Sequence, residues 1–377
     1  MPKRSNSVSA DQLADAIESG ESITLLDVRN RDEIDAWRIE GTNVQSVHVP
    51  YMQFVSANVT DDVGSLVDPE ESYVVVCPRG EESAEVVDML EEEGIDARNL
   101  SDGMAGWADV YRRHEVGAEA TEASVFQYHR PATGCLGYVV ADGGEAVVVD
   151  PLAAFADRYA EDIETLGAEI VAVIDTHVHA DHISGLRTVA EAAGVVPSVP
   201  SAAVDRGIEY EVNGRADGDV ISIGESELEF RASPGHTTGS ASLLIDDVLL
   251  SGDSLFLDGV GRPDLQSGDA DPEALADELH ETLTERFAGL SDGVVLAPGH
   301  VRPETVPPCT AELGELRARL SAFSEPRSSF VDRIVKSIGE PPANHDRIVG
   351  LNLGRETVDD AAAFELELGP NNCAVAD

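Results

Sequence analysis

The first third of the chain alternates helix-like segments with short apolar runs. Ser9 and Gln12 predict a capping box at the start of a helix that carries Leu13 and Ile17 on one face, and Gly20 predicts its end. The runs ITLLDVR and YVVVC predict buried strands, and EESAEVVDMLEEEG predicts another helix that stops at its glycine. Because strands that alternate with helices form parallel sheets, this part predicts an α/β domain.

The pattern changes near residue 124 to closely spaced strands. GCLGYVVAD and EAVVVDP predict a strand pair joined by a DGG turn, and a helix over 153–166 and the strand IVAVIDTH follow. Several short strands come next, then a helix around 272–287 and the strand GVVLAPGH. Beyond about residue 312 the pattern is helical at first, and its later Gly, Pro and Asn residues predict irregular structure.

Two domains and a linker are expected from these patterns. The polar, small-residue stretch GAEATEAS predicts a linker over 114–123. The domains would then span 1–113 and 124–377, the second with a C-terminal extension from about 312. A length of 377 residues fits two to three domains of ~150 residues each.

The charge of the chain restricts its partners. It has 72 Asp+Glu against 25 Lys+Arg, a formal net charge of −47, and a field of this sign repels nucleic acid and anionic membranes. The apolar content of 42% argues against disorder. The only lysines are Lys3 and Lys336, and an acidic surface almost without lysine suits molar salt, which screens self-repulsion. We therefore interpret the charge as adaptation to the cytosol of a halophile.

The remaining bulk features predict a cytoplasmic protein. No apolar run reaches the ~18–20 residues of a membrane span, and the basic residues at the N-terminus are not followed by the apolar stretch of a secretory signal. The four cysteines are widely spaced and contain no CxxC pair, which favours a reducing compartment over a disulfide framework.

Histidines and aspartates recur at the C-terminal ends of predicted strands in the second domain. THVHADHISG follows one strand, and SPGHTTGS, LLSGDSLF and LAPGH each follow another. These segments supply His177, His179, Asp181, His182, His236, Asp253 and His300. A single loop histidine is usually only solvated, but imidazole and carboxylate repeated at one edge of a sheet are what a metal site requires. The sequence therefore predicts a metal centre.

This order of motifs resembles the metallo-β-lactamase superfamily, which implies an αββα sandwich. The segments GDSLF and GRPDLQ, with the closing stretches PPANHDRIVGLNLG and ELELGPNNCAV, are similar to the persulfide dioxygenase branch. The resemblance implies one Fe(II) per chain bound by His177, His236 and Asp253, a facial triad with positions left for O2 and sulfur. His179, Asp181, His182 and His300 would surround the ligands, orient them and accept protons.

The hydroxyacylglutathione hydrolase branch is the alternative. There, His177, His179 and His236 would bind one zinc, and Asp181, His182 and His300 a second. Asp253 would bridge the two ions, and a shared hydroxide would attack a thioester. Arg262 and Asp264 favour the dioxygenase, in which they would lie on the substrate side or form a buried structural ion pair. Asp150 is expected to support the metal loop and not to be a ligand.

Cys77 ends a predicted strand, and CPRGEES leads from it into a helix. Backbone N–H groups of a tight loop and the positive end of a helix would stabilise a thiolate or persulfide there. LLDVRNRDEIDAW, VHVP, CPRGEES and NLSDGMAGW are similar, in this order, to rhodanese domains. The resemblance makes Cys77 the catalytic sulfur carrier, by exchange with a sulfur donor.

The Cys77 loop departs from the rhodanese pattern in its charge. An arginine late in the loop usually serves anionic donors, whereas Glu81 and Glu82 stand in that stretch here and Arg79 is the only cation left. A neutral or thiol-borne donor is therefore easier to accept than thiosulfate.

Together these features predict an iron-dependent persulfide dioxygenase that oxidises a low-molecular-weight thiol persulfide to sulfite, coupled to sulfane-sulfur transfer through Cys77. The expected partners are a small thiol persulfide and O2, without nucleic acid or membrane, and the resemblance implies a homodimer. In the alternative hydrolase, the rhodanese-like domain would be an inactive or regulatory module.

Overall fold

A computed structural model describes residues 6–117, 122–266, 270–342, 344–367 and 373–376. The chain divides into two compact units. The first takes in the described residues up to Arg112, with Arg130–Gly134 and Arg302–Val306; the second contains Arg113–His129, Cys135–Val301 and the described residues from Pro307 onward. Part of the predicted linker over 114–123, residues 118–121, lies outside the described residues.

The first unit is built on a parallel sheet of five strands in the order β1-β5-β4-β2-β3. The strands are β1 (Ser7–Val8), β2 (Ile23–Asp27), β3 (Val44–His48), β4 (Tyr73–Val76) and β5 (Ala97–Leu100). The helices are α1 (Ala10–Glu18), α2 (Arg31–Ala36), α3 (Tyr51–Val59), α4 (Glu81–Glu92) and α5 (Gly103–Ala108), with a 3₁₀ turn at Val63–Ser65. The predicted parallel α/β architecture is confirmed.

Both faces of this sheet are buried, which explains why its strands are continuously apolar. Leu25, Val74 and Val76 belong to the core on one face, and Leu26 and Val75 to the core on the other. Neighbouring residues of a strand point to opposite faces, so a parallel sheet covered on both sides needs apolar residues at every position.

The second unit contains a seven-stranded sheet, a six-stranded sheet and a two-stranded ribbon. The first has the order β12-β11-β10-β9-β8-β7-β6, the second β13-β14-β15-β16-β18-β19, and β17 pairs with β20. The strands of the seven-stranded sheet are β6 (Arg112–Glu115), β7 (Ser124–His129), β8 (Leu136–Asp142), β9 (Glu145–Val149), β10 (Glu169–Ile174), β11 (Ser198–Pro200) and β12 (Asn213–Arg215). The others are β13 (Val220–Ile223), β14 (Ser226–Ala232), β15 (Ala241–Ile245), β16 (Val248–Gly252), β17 (Gly259–Gly261), β18 (Val295–Pro298), β19 (Ala311–Glu312) and β20 (Ala374–Ala376).

The helices of this unit complete a four-layer sandwich. They are α6 (Ala156–Thr165), α7 (Leu186–Ala193), α8 (Ser201–Val204), α9 (Pro272–Glu281), α10 (Leu313–Arg319), α11 (Arg327–Lys336), α12 (His345–Asn352) and α13 (Asp360–Leu366). Short turns of 3₁₀ helix lie at Ala153–Phe155 and Ser321–Phe323, and a π-helical turn lies at Thr282–Arg286. Val140 and Val147 of one sheet pack with Leu243 and Leu250 of the other in the central core. The predicted αββα sandwich is confirmed.

The prediction of irregular structure in the later C-terminal region was wrong. Helices α11, α12 and α13 occupy much of it, and the residues that suggested irregularity stand at their ends. Pro326 precedes α11, Asn344 precedes α12 with a φ of 62°, and Gly354 follows α12 with a φ of 80°. These residues end or begin helices, and a composition count cannot distinguish that role from a loop.

Across the described residues, every helix is too short or too polar to span a bilayer.

Candidate metal centre

The predicted metal ligands gather at one edge of the sandwich, where four strands end. The loop over 175–185 follows β10, and His236 lies between β14 and β15. Asp253 comes directly after β16, and His300 follows β18. Six of the seven predicted residues are buried, and Asp181 is half-buried.

His177, His236 and Asp253 form one group of potential ligands. Asp253 Oδ2 lies 3.8 Å from His177 Nε2 and 3.7 Å from His236 Nε2, and the three atoms all lie within 4.8 Å of one another. Among the described residues, none of these three atoms has a hydrogen-bond partner, although all three are buried. Buried polar atoms without partners are costly, and a cation between them would remove that cost. The donor set suits a divalent metal such as Fe(II).

Hydrogen bonds to the far side of each ring orient the two imidazoles. His236 Nδ1 lies 2.8 Å from the carbonyl oxygen of Arg262, so it donates its proton there. Thr176 Oγ1 donates to Asp150 at 2.8 Å and therefore accepts from His177 Nδ1 at 3.0 Å. With both protons on Nδ1, each Nε2 presents a lone pair to the space beside Asp253.

Asp150 anchors the metal loop from behind. Its carboxylate accepts hydrogen bonds from the backbone N–H of Thr176 at 2.7 Å and from the hydroxyl of the same residue. His179 Nε2 lies 3.1 Å from Asp150 Oδ1 and 3.8 Å from Asp175 Oδ1. Asp150 thus lies behind the loop and holds both its backbone and one of its histidines.

A second group of potential ligands lies beside the first and includes the buried thiol of Cys135. Cys135 Sγ donates to Asp181 Oδ2 at 3.4 Å, and His182 Nδ1 lies 3.2 Å from Asp181 Oδ1. The ligand atoms of these three residues lie within 4.8 Å of one another. His300 Nδ1 approaches the other oxygen of Asp253 at 3.3 Å. No local pattern marks Cys135, because its position depends on pairing of its backbone with that of His300.

Asn352 is a further residue that sequence reasoning did not single out. Its side-chain amide donates to the carbonyl oxygens of His179 at 3.0 Å and His182 at 2.9 Å. Its Oδ1 accepts from the N–H of Ser184 at 2.9 Å. One amide from α12 thereby fixes the backbone of the metal loop at three points.

The electrostatics of the site favour the metal-binding protonation states. Burial, together with the neighbouring His179, lowers the pKa of His177 well below its ordinary value, so its ring is neutral. Burial alone would raise the pKa of Asp253, but His300 and His177 outweigh it and the pKa is lowered. Neutral imidazoles and an ionised carboxylate are the forms that coordinate a metal.

The buried Arg262 forms an ion pair with the half-buried Asp264. The guanidinium donates to both carboxylate oxygens of Asp264, at 2.8 and 2.9 Å, and to the carbonyl oxygens of Glu340 and Gly339 at 2.9 and 2.7 Å. Every one of these partners fixes the loop whose Arg262 carbonyl orients His236. Gln266, at the end of the same loop, accepts from the backbone and hydroxyl of Thr238.

The first unit holds a separate candidate site around Cys77. Its Sγ is buried and accepts hydrogen bonds from the N–H of Gly80 and the hydroxyl of Ser83, both at 3.0 Å. Arg79 and Glu81 are exposed, and Glu82 is half-buried at the start of α4. Ser83 lies in the motif that marked Cys77, but its spacing alone did not show that its hydroxyl reaches the sulfur.

The first unit also contains a buried ion pair between Arg29 and Asp27. Arg29 donates to both oxygens of Asp27, from Nε at 3.0 Å and from Nη2 at 2.7 Å, and to the carbonyl oxygen of Trp37 at 2.8 Å. Its partners tie the end of β2 to the chain after α2.

Both units match known families. Residues 130–300 match the metallo-beta-lactamase superfamily, and residues 9–109 match the rhodanese-like domain. The bovine mitochondrial persulfide dioxygenase ETHE1 is 31% identical over 216 residues, which cover 55% of this chain and 80% of that protein. A hydroxyacylglutathione hydrolase of Polaromonas is 33% identical over 175 residues, 43% of this chain and 60% of that enzyme.

A solved structure supports the same fold. The metallo-beta-lactamase from Staphylococcus aureus superposes with a TM-score of 0.57 at 26% identity, covering 63% of this chain and 74% of that one.

Proposed function

This chain belongs to the persulfide dioxygenase branch of the metallo-beta-lactamase superfamily and carries a rhodanese-like domain, and on that premise we propose that it oxidises a low-molecular-weight thiol persulfide to sulfite at a single iron. The observation that carries the proposal is the meeting of three buried atoms, on His177, His236 and Asp253, that have no hydrogen-bond partner within the described part of the chain. In the overall reaction R–S–SH, O2 and H2O give R–SH, sulfite and two protons. The sulfane sulfur is oxidised by four electrons and O2 is reduced by the same four.

Some residues of the site would bind the metal, and others would hold these ligands in position. Fe(II) bound by two histidines and one carboxylate offers positions for O2 and for the terminal sulfur. Thr176 and the Arg262 carbonyl hold the two rings with Nε2 toward the metal position. His182 and His300 each have a buried ring nitrogen beside this group that finds no hydrogen-bond partner among the residues the structure describes. These two histidines are the candidates to accept the protons released with sulfite.

Metal analysis combined with an oxygen electrode tests this proposal. We expect one iron per chain and one O2 consumed for each sulfite formed from glutathione persulfide. His236→Gln should lose most of the iron and the O2 uptake, whereas His345→Gln, at the start of α12 and outside the proposed ligand set, should retain both. Two zinc ions per chain, no O2 uptake with the persulfide and cleavage of an S-acyl thiol would establish the hydrolase instead.

The hydrolase remains a second candidate because of one specific arrangement. Asp181 and His182 form a further group of ligand atoms beside the first, and His300 approaches Asp253. These are the residues that a second metal would need in a thioesterase. The Polaromonas relative supports the same candidate, although this chain spans less than two thirds of that enzyme.

In the rhodanese-like unit, Cys77 is proposed to carry sulfane sulfur. Its thiolate would attack the outer sulfur of a persulfide R–S–SH, forming Cys77–S–SH while the S–S bond of the donor breaks and R–S⁻ leaves and takes up a proton. Gly80 N–H and the Ser83 hydroxyl support negative charge on the sulfur. Since Arg79 is the only cation of the loop, the proposed donor is a thiol persulfide and not thiosulfate.

Cyanide release of sulfur tests the role of Cys77. Wild-type protein exposed to persulfide should yield cyanolysable sulfur, and Cys77→Ser should yield none. The same variant should keep its iron content and O2 uptake, because the proposed iron ligands belong to the other unit. If the wild type never carries such sulfur, the rhodanese-like unit is a regulatory module.

A further inference from the structure

Three serines of the second unit form a buried network of hydroxyl groups. Ser233 directly follows β14, Ser242 lies in β15, and Ser254 is the residue after Asp253. All three residues are fully buried. The hydroxyl oxygen of Ser233 lies 2.9 Å from that of Ser254 and 2.9 Å from that of Ser242. Ser233 is therefore the centre of the network.

The stability of the fold does not explain why these buried positions carry hydroxyl groups. Burying a hydroxyl group is costly unless it forms hydrogen bonds, and a buried hydrogen bond then adds only modestly to stability. Replacing both partners of such a bond by apolar groups is often close to neutral. What a hydroxyl group adds is direction, because a hydrogen bond fixes a distance and an angle between two segments, whereas apolar burial is non-directional.

The hydroxyl group of Ser254 joins the segment that carries Asp253 to the segment that carries His236. It donates to the carbonyl oxygen of Ser233 at 2.9 Å and lies equally close to the Ser233 hydroxyl oxygen. Ser254 is adjacent to Asp253 in the chain, and Ser233 lies three residues before His236. The link therefore connects the two segments whose potential ligand atoms, His236 Nε2 and Asp253 Oδ2, lie 3.7 Å apart.

The His236 segment is itself closed by hydrogen bonds, so a shift at Ser233 is passed on to the imidazole. Ser233 donates its N–H to the carbonyl oxygen of Ser240 at 3.0 Å. The hydroxyl oxygen of Ser240 accepts from the N–H of Thr237 at 3.1 Å. Because these bonds enclose His236, the position of its ring follows the position of Ser233.

A close backbone contact limits the opposite movement of the two segments. Gly261 lies between them, and a Cβ atom there would clash with the carbonyl oxygen of Asp253 and lie 2.9 Å from the Cβ atom of His236. The next residue, Arg262, holds the His236 ring through its carbonyl oxygen. The packing at Gly261 prevents the two segments from approaching each other, and the hydrogen bonds of Ser254 prevent them from moving apart.

We propose that Ser254 and Ser233 form a positioning clamp that sets the separation of His236 and Asp253, and thereby the affinity of the candidate centre for its metal. This inference rests on the proposed function and adds to it two residues that act through the ligands. Groups that hold metal ligands in place typically change the affinity for the metal about 10–100-fold.

Titration of the metal-free protein with cobalt(II) tests the clamp without relying on turnover. Competition with a chelator measures the affinity, and the visible absorption of bound Co(II) reports the arrangement of its ligands. In Ser254→Ala we expect the affinity to fall about ten-fold and the absorption bands to shift, because the hydroxyl group that limits the separation of the two ligands is missing.

Ser242→Ala is the matched control for this experiment. It removes an equally buried hydroxyl group from the same network but leaves both contacts between Ser254 and Ser233 in place. It should lower the midpoint of thermal unfolding about as much as Ser254→Ala, while it keeps the Co(II) affinity and spectrum of the wild type. Wild-type affinity and bands in Ser254→Ala, or equal changes in the two variants, would overturn the clamp.

The clamp and the proposed function fail in different ways. If Ser254→Ala changes Co(II) binding as expected but the iron-loaded wild type consumes no O2 with a persulfide, the proposed function is overturned and the clamp is supported. If the iron-loaded wild type oxidises the persulfide but Ser254→Ala binds Co(II) like the wild type, the clamp alone is overturned.

Discussion

At the scale of single residues, the candidate metal centre depends on groups that turn each ligand in the right direction. The imidazole of His236 has two nitrogens, and the Arg262 carbonyl 2.8 Å from Nδ1 decides that Nε2 faces Asp253. That carbonyl is itself held because the Arg262 guanidinium binds Asp264 and two backbone carbonyl groups. A buried ion pair can therefore affect metal binding without touching the metal.

Replacing Arg262 with lysine should weaken iron binding. Lysine cannot reproduce the two parallel hydrogen bonds to Asp264, so the carbonyl that orients His236 would shift. We expect the iron affinity, measured against a competing chelator, to fall about 10–100-fold. Arg158→Lys, at an exposed ion pair with Asp162 on α6, should leave it unchanged. An unaltered affinity in Arg262→Lys would exclude this positioning role.

Ser83 offers a similar test in the rhodanese-like unit. Its hydroxyl is one of two donors to Cys77 Sγ, and hydrogen bonds to charged groups contribute about 1.5–3 kcal/mol. Ser83→Ala should slow alkylation of Cys77 by iodoacetamide at neutral pH about ten-fold or more, as followed by mass spectrometry of the Cys77 peptide.

Two further variants separate this effect from a general disturbance. Ser83→Thr keeps the hydroxyl and should restore the rate, and Ser72→Ala, whose partner is the exposed Asp96, should react like the wild type. Equal rates in Ser83→Ala and the wild type would count against the hydrogen bond.

His129 predicts a defined dependence of stability on pH. It ends β7 fully buried, neither ring nitrogen has a hydrogen-bond partner among the described residues, and burial, with His114, lowers its pKa to about 3. The unfolded chain takes up this proton near pH 6.5, before the folded chain does, so stability falls as the pH falls from about 6.5 toward about 3. Between pH 8 and pH 5 this residue should lower the free energy of unfolding by about 2 kcal/mol.

Denaturant titrations of wild type and His129→Gln measure this contribution. Glutamine has a similar size and does not titrate, so the difference between the two unfolding free energies should change by that amount between pH 8 and pH 5. Parallel curves for the two proteins would show that His129 is not the group responsible.

At the scale of secondary-structure elements, capping residues determine where helices begin. Ser9 Oγ accepts from the N–H of Gln12 at 3.2 Å, and the Gln12 side chain accepts from the N–H of Ser9 at 3.0 Å, as the spacing predicted. In the C-terminal region the prediction from such residues was wrong, because Pro326 and Asn344 start helices there and do not mark loops. In both places the deciding factor is which backbone groups the end residue satisfies.

Ser9→Ala should destabilise the first unit by about 1 kcal/mol, because it leaves an N–H at the start of α1 without its partner. Denaturant unfolding monitored by the fluorescence of Trp107, which is buried in this unit, measures the change. Ser56→Ala is a suitable control, since its hydroxyl donates to the carbonyl oxygen of Met52 within α3 and caps no helix end. A loss in the control equal to that in Ser9→Ala would rule out the cap as the cause.

At the scale of the whole molecule, the net charge of −47 and the chemistry of the sites are separate features. The metal ligands are buried at strand ends, whereas acidic residues crowd exposed helix positions such as Glu91, Glu92 and Glu93. Repulsion among exposed charges acts over about 10 Å in 0.1 M salt and about 3 Å in 1 M salt. Salt is therefore expected to act on the stability of the fold more than on the metal centre.

The midpoint of thermal unfolding should rise as KCl increases from 0.1 to 2 M. Glu92→Lys, which changes the net charge by +2 at an exposed position, should raise the midpoint at low salt and reduce its dependence on salt. Calorimetry at several salt concentrations measures both effects. A midpoint that does not depend on KCl would argue against adaptation to molar salt.

The sequence by itself determined the two kinds of unit, the strand-end position of the metal-ligating residues and the position of Cys77 in its loop. These features follow from local periodicity and from residue types next to strand ends, which are visible in a short window. The resemblance of the two units to two different families was recognisable for the same reason.

Only the tertiary structure decided which residues support those sites. Asn352 bonds to carbonyl groups more than 160 residues away, Cys135 meets Asp181 through a contact between distant loops, and Ser254 bonds to Ser233 across the intervening strands β15 and β16. The choice of ring nitrogen at His236 likewise depends on a carbonyl 26 residues farther along the chain. Such contacts have no period, because they are set by how whole layers pack and not by the repeat of a helix or strand.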